Sequence, residues 1–237
     1  MIPIQKGAAP RELGIRIREI KATPDMTLNW PNISGTLGGA AGAKGKNKGS
    51  VVDAVKRALL RDQGGLCAYC MRKIDLGNSH VEHVVPQSEG RGSDDMLSVD
   101  YGNMLAVCDG FEGDRNGLTC DRARGNKKMT VSPLKPQTLE GIRYGRDGKI
   151  RSDRSEIEGD LTKTLNLNQE SLRKNRKAVI DQLARYFKKI DERGGSVADH
   201  CKKQLDALRS ETCQKSEYQG VRIYFFEKRL RAEGKRG

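Results

Sequence analysis

The chain has 237 residues, of which 35% are hydrophobic, 5% aromatic and 32% charged, a thin supply for one large core, so a small stapled module with helices packed around it is expected. Its formal net charge of +13 and pI of about 9.6 favour a polyphosphate partner bound in a salt-sensitive way. No apolar run is long enough to cross a bilayer and no secretory signal pattern is present, which argues against a membrane or disulfide-stapled secreted protein and for a cytoplasmic one.

Residues 1–30 alternate short apolar and basic pieces. Leu13, Ile15, Ile17 and Ile20 follow no clean period, and an extended piece leading into part of a helix is expected. Residues 31–50 hold six glycines among Ala, Ser and Lys, with no acidic residue, and read as a flexible basic loop. The phosphate-loop pattern G-x-x-x-x-G-K-[ST] does not occur there, so nucleotide binding by this chain is not expected. Ser50 is a candidate N-cap for a helix carrying Val51, Val55, Ala58 and Leu59 on one face to about Gln63, ended by Gly64-Gly65.

That helix leads into Cys67-Ala68-Tyr69-Cys70. With Cys108 and Cys120 downstream, the set suits a closed tetrahedral zinc site better than a redox pair, which wants a βαβ context. Eleven residues separate Cys108 from Cys120, so Asp109 or Asp114 is an alternative fourth ligand, but a thiolate competes better for zinc. Cys201 and Cys213 read as ordinary thiols, with a second weak metal site as the alternative. Val81, Val84 and Val85 before Pro86 suggest a short strand. Side chains alternate along a strand, so bringing Glu82 and His83 to one phosphate requires a bend at that pair. Residues 87–99 read as a polar loop. Asn103 and an apolar run follow into Cys108, and a short helix from Asp121 carries Arg124, Asn126 and Lys127.

Residues 141–151 read as a hairpin turning at Asp147-Gly148. Asn168 is expected to cap a long helix with Leu172, Val179, Ile180, Leu183, Phe187 and Ile190 on one stripe, stopped by Gly194-Gly195. Ser196 starts another helix with Val197, Leu205 and Leu208 inward, and a last one carries Val221, Tyr224, Phe225 and Leu230. Three segments follow: an N-terminal segment 1–50, a cysteine-rich core 51–136, and a hairpin with helices 137–237.

Glu82-His83, Asn103, Cys120-Asp121 and Arg124-Gly125-Asn126-Lys127 resemble the motif of HNH endonucleases. Met1 to Pro10, Leu66 to Cys70, Thr164 to Asn168 and Leu172 to Arg176 are similar to the PtuB family, the HNH nuclease subunits of Septu-type anti-phage systems, also found with some retrons. The resemblance implies an α+β fold with a small zinc-stabilised ββα-metal core surrounded by the N-terminal segment and C-terminal helices. It implies a metal-dependent nuclease acting on nucleic acid, DNA ahead of RNA, partnered by an ATPase subunit of PtuA type. By position in the motif His83 is the general base and Asn103 holds its loop. Glu82, with Asp121 or Asn126, holds Mg²⁺ or a similar divalent ion, and zinc is structural and distant from the chemistry. His80 is the alternative base or zinc ligand, and His200 lies outside any cluster. The rival readings are a non-catalytic zinc-dependent nucleic-acid-binding module and a stand-alone HNH restriction-type nuclease.

Overall fold

The structure, a computed structural model, describes residues 1–35, 48–87, 96–111 and 117–234. Most of the glycine-rich basic stretch, the middle of the loop after Pro86, and Asp114 lie outside the described residues.

An extended N-terminal piece enters helix α1 (Arg11–Lys21), followed by the short α2 (Trp30–Ser34) and by α3 (Lys48–Gln63). Helix α3 begins two residues before Ser50, which therefore lies inside it and is not its cap. Its buried face is the one its spacing dictates: Val51, Val55, Ala58 and Leu59. Gly64 and Gly65, both at positive φ (65° and 69°), then turn the chain sharply.

Strand β1 (Ser79–His83) pairs antiparallel with β2 (Met104–Cys108), in register from Ser79 opposite Cys108 to His83 opposite Met104. Helix α4 (Met96–Val99) lies in the connection, where an unbroken loop was expected, and α5 (Cys120–Arg124) follows β2. The expected bend at Glu82-His83 is displaced. Both residues keep their register, and the chain leaves the sheet at Val84-Val85. The cause is diversion of backbone groups to side chains. Arg124 takes the carbonyls of His83 and Val84, while Asn103 takes both the N–H and the carbonyl of Val85.

The hairpin is β3 (Ile142–Tyr144) with β4 (Ile150–Ser152). At its turn Gly148 has φ +80°, and a Cβ there would lie 2.2 Å from the Arg173 carbonyl oxygen, so only glycine fits. Helix α6 (Ser155–Gly159) continues into a wider π turn over Asp160–Thr164. Sequence reading missed this piece, although Ile157, Leu161 and Leu165 recur every fourth residue and are fully buried.

Helix α7 (Glu170–Glu192) is capped by Gln169. Asn168 instead brackets Ile150 of β4, accepting from its N–H and donating to its carbonyl. Ser196 caps α8 (Val197–Ser210) as expected, and α9 (Gln219–Glu233) closes the described chain. One core takes residues from the N-terminal piece, α3, the cysteines, both β2 and the hairpin, α6 and the start of α7. A smaller core joins α7, α8 and α9 around Cys201. No helix among the described residues is long and apolar enough to cross a membrane.

Candidate metal centre and active site

Cys67, Cys70, Cys108 and Cys120 are buried together, with all four sulfurs within 4.8 Å of one another. Cys67 to Cys120 is 3.9 Å, Cys70 to Cys108 is 3.8 Å and Cys108 to Cys120 is 3.7 Å. Sulfurs at about 2.3 Å from a tetrahedral centre are about 3.8 Å apart, so these edges are those of a zinc-sized tetrahedron. They are far too long for disulfides, whose sulfurs lie about 2.0 Å apart. The four cysteines can hold a metal such as zinc.

Buried Gln63, at the end of α3, sets the knuckle against β2. Its amide donates to the carbonyls of Leu66 and Ala106 and its oxygen accepts from Ala106 N–H. Hydrogen bonds from its three neighbours hold the Cys108 thiol far below its usual range, while burial pushes Cys67 up. Arg72 donates to Cys108 Sγ at 3.4 Å, supplying positive charge to a site that carries excess negative charge once metallated.

Glu82 points to the face of β1 covered by α5. Its Oε1 accepts from Tyr69, at 3.0 Å, and from Arg124, and its Oε2 accepts from His83 N–H at 3.1 Å. Tyr69 lies inside the Cys67-to-Cys70 knuckle and Asp121 follows Cys120, so the cysteine cluster adjoins this face of β1. Burial first, then the hydrogen bond and charge of Asp121, push Glu82 up to about 8, and Arg124 pulls it back only in part. Burial also pushes Asp121 up, but hydrogen bonds from His80 and Glu82 outweigh it and Asp121 lies below its usual value. The two neighbouring carboxyls thus shift in opposite directions, Glu82 up and Asp121 down, with the Arg124 guanidinium beside them. On the rim, His80 Nε2 lies 2.6 Å from Asp121 Oδ2, with both side chains partly exposed.

His83 points the other way and is 4% exposed. Its Nε2 donates to the Ser98 carbonyl at 2.9 Å, and its Nδ1 lies 3.0 Å from the Gln87 amide nitrogen. The edge of Trp30 packs on the ring, 5.5 Å between centroids, and Trp30 N–H donates to Ser98 Oγ. Asn103 fixes the strap beneath it: Oδ1 accepts from Val85 N–H at 2.8 Å, and Nδ2 donates to the Val85 and Leu97 carbonyls at 3.1 and 3.0 Å.

No family model matches the chain. A protein of Vibrio cholerae serotype O1 biovar El Tor named "Retron Vc95 putative HNH endonuclease" is 28% identical to it over 128 residues. The chain is a distant relative of that protein. The match covers 51% of this chain and 60% of the relative, so the chain spans less than two thirds of the relative's length. The likeness supports the HNH endonuclease family and a nuclease activity.

With that likeness in hand, the placements divide the motif. Glu82 and Asp121 neighbour each other on the α5 face, His83 points to the opposite one where Asn103 holds the strap at Val85 and Leu97, and Asn126 lies beyond the end of α5 and is exposed. Sequence reasoning missed Tyr69, Trp30, Ser98 and Gln87 as members of the site. Only Trp30, the single tryptophan in a polar chain, carried any signal. His200 lies on α8, its Nδ1 against the Ser196 carbonyl.

Arg124 joins these parts. Its side chain is 1% exposed, and it donates to Glu82, to the carbonyls of His83, Val84 and Lys127, and to Tyr69. Removing one partner of such a buried pair costs about 3–5 kcal/mol. Arg124→Met is therefore expected to lower stability by that amount in urea unfolding. Arg124→Met combined with Glu82→Gln should recover part of the loss. Equal stability of wild type and Arg124→Met would contradict this account of the site.

Proposed function

We propose that this chain is a metal-dependent HNH endonuclease that hydrolyses phosphodiester bonds of nucleic acid, DNA in preference to RNA. In this reading it is the cytoplasmic effector of a bacterial anti-phage complex of Septu or retron type, a PtuB-like subunit working with a PtuA-like ATPase. The observation that carries the nuclease reading is the seating of His83. A backbone carbonyl on Nε2 fixes the tautomer and leaves Nδ1 as the acceptor, the state a general base requires. The distant likeness to a protein named as an HNH endonuclease supports it.

Zinc on the four cysteines is structural. Glu82 and Asp121 are the carboxylates suited to a catalytic Mg²⁺, because they neighbour each other on the α5 face and carboxylate oxygens are the ligands a hard divalent cation takes. Of the two candidates on the closing segment, Asp121 is favoured over Asn126 by its contact with Glu82. An ion held by these carboxylates would supply the charge that polarises the scissile phosphate. Asn103 keeps the Val85 strap, and through it His83, in place. The net charge of +13 supplies long-range attraction to the polyanion.

The test is incubation with supercoiled plasmid and with total RNA, with Mg²⁺, with EDTA, and with Mg²⁺ restored. Cleavage that disappears with EDTA and returns with Mg²⁺ is expected. A second reading, a non-catalytic zinc-dependent nucleic-acid-binding module, is favoured by the opposite facing of Glu82 and His83 and by the tie of Glu82 to Arg124. Salt-sensitive binding without turnover under any cation would establish it. Co-expression with the neighbouring ATPase, using truncations before Cys67 and after Pro136, tests the complex. Absence of both capture and any change in activity would leave a stand-alone nuclease.

A further inference from the structure

We propose that Gln87 occupies the seat of the attacking water at His83, so that its amide must swing away before that water can bind. The inference rests on the nuclease reading, in which His83 takes a proton from water, and adds the residue that guards the accepting atom.

The Ser98 carbonyl fixes the tautomer of the His83 ring. A carbonyl oxygen only accepts, so His83 Nε2, 2.9 Å away, carries the ring hydrogen. In a neutral imidazole the other nitrogen is then the acceptor, with one in-plane lone pair. The Gln87 amide nitrogen lies 3.0 Å from that atom. A water that is to give up its proton needs the same atom at about 2.6–3.2 Å. Amide and water therefore compete for one lone pair in one direction.

The surroundings leave the Gln87 side chain as the part that moves. The ring is held by the Ser98 carbonyl and by the edge of Trp30. The backbone leading to Gln87 is fixed at Val85, whose N–H and carbonyl are both taken by Asn103. Gln87 is itself only half-buried and has three rotatable bonds, so it can turn outward without disturbing the strap. A neutral hydrogen bond of this kind biases the closed position by about 2- to 10-fold. Such a bias is small enough for bound substrate to overcome.

The experiment compares wild type, Gln87→Ala and Gln87→Asn in single-turnover plasmid cleavage at saturating Mg²⁺. Both variants lack an amide that reaches Nδ1, and both should cleave about 2- to 10-fold faster than wild type. Variant rates equal to or below wild type, with wild type active, overturn the proposal and leave the nuclease reading standing. A wild type that cleaves nothing overturns the nuclease reading instead. A second measurement then addresses the seat itself. The Gln87 side-chain amide protons should exchange with water more slowly than those of exposed glutamines, and this protection should vanish in His83→Ala. Exchange as fast as at the surface shows the seat open and overturns the proposal whatever the activity.

Discussion

His83→Ala is expected to lower cleavage by about 10²–10⁴-fold, the span a positioned general base contributes, while zinc content stays at the wild-type level. The variant also removes the hydrogen bond from His83 to the Ser98 carbonyl and the ring packed on Trp30, so a stability loss of about 1–3 kcal/mol accompanies it. A thermal melt at the assay pH therefore belongs beside the rate. A variant folded at the assay temperature yet without cleavage places His83 in the chemistry and not merely in the fold. His80→Ala is the informative comparison. His80 is more exposed and is held by Asp121 at 2.6 Å, the arrangement of an oriented imidazole on the α5 face. The structure separates the two histidines onto opposite faces of β1, so their effects should not resemble each other. His80→Ala should be mild. A dead His80→Ala beside an active His83→Ala would transfer the role of base to His80.

How much of this site could be read from sequence depends on the kind of interaction. The α3 face, the hairpin turning at Gly148 and the Ser196 cap were legible, because each is written in local spacing or in a residue type at a fixed offset. The cysteine set was legible because thiol chemistry leaves few rival uses for four buried sulfurs brought within 4.8 Å of one another. What failed were expectations that depend on where backbone groups find partners across long separations. The break in β1 moved past Glu82-His83 because Arg124, forty residues later, binds the carbonyls of His83 and Val84. Asn168 was taken from helix capping by Ile150, eighteen residues earlier. Gln63, which sets the cysteine knuckle against β2 across forty-three residues, is an unremarked polar residue at the end of a helix when read locally. No periodicity records such bonds. The α6 piece differs, since its fourfold apolar spacing is written in the sequence but is interrupted by the charged residues around it.

Cys70→Ser should remove the metal and unfold the central core, rather than merely weaken it. A serine hydroxyl does not ionise near neutral pH, so the fourth anionic ligand is lost. Apparent zinc binding worth about 10–16 kcal/mol at pH 7 is comparable with the entire stability of an ordinary domain, about 5–15 kcal/mol. The cluster here joins the segment after α3, the end of β2 and the start of α5, and its cysteines lie within the main hydrophobic core. Tyr69 and Asp121, each adjacent in sequence to a cysteine of the cluster, connect it to Glu82, so the same loss dismantles the α5 face of the site. Elemental analysis of the wild type should find about one zinc per chain, and the variant should retain almost none and lose its cooperative thermal transition. Cys213→Ser is the control, because Cys213 is exposed and outside the cluster, and it should keep both the metal and the transition. Cys201→Ser separates the two cores: it leaves a hydroxyl in the fully buried packing of α7, α8 and α9 and should lower stability without releasing zinc. A wild-type protein that is folded and free of zinc, or a Cys70→Ser variant that melts like wild type, would remove the metal from the account of this fold.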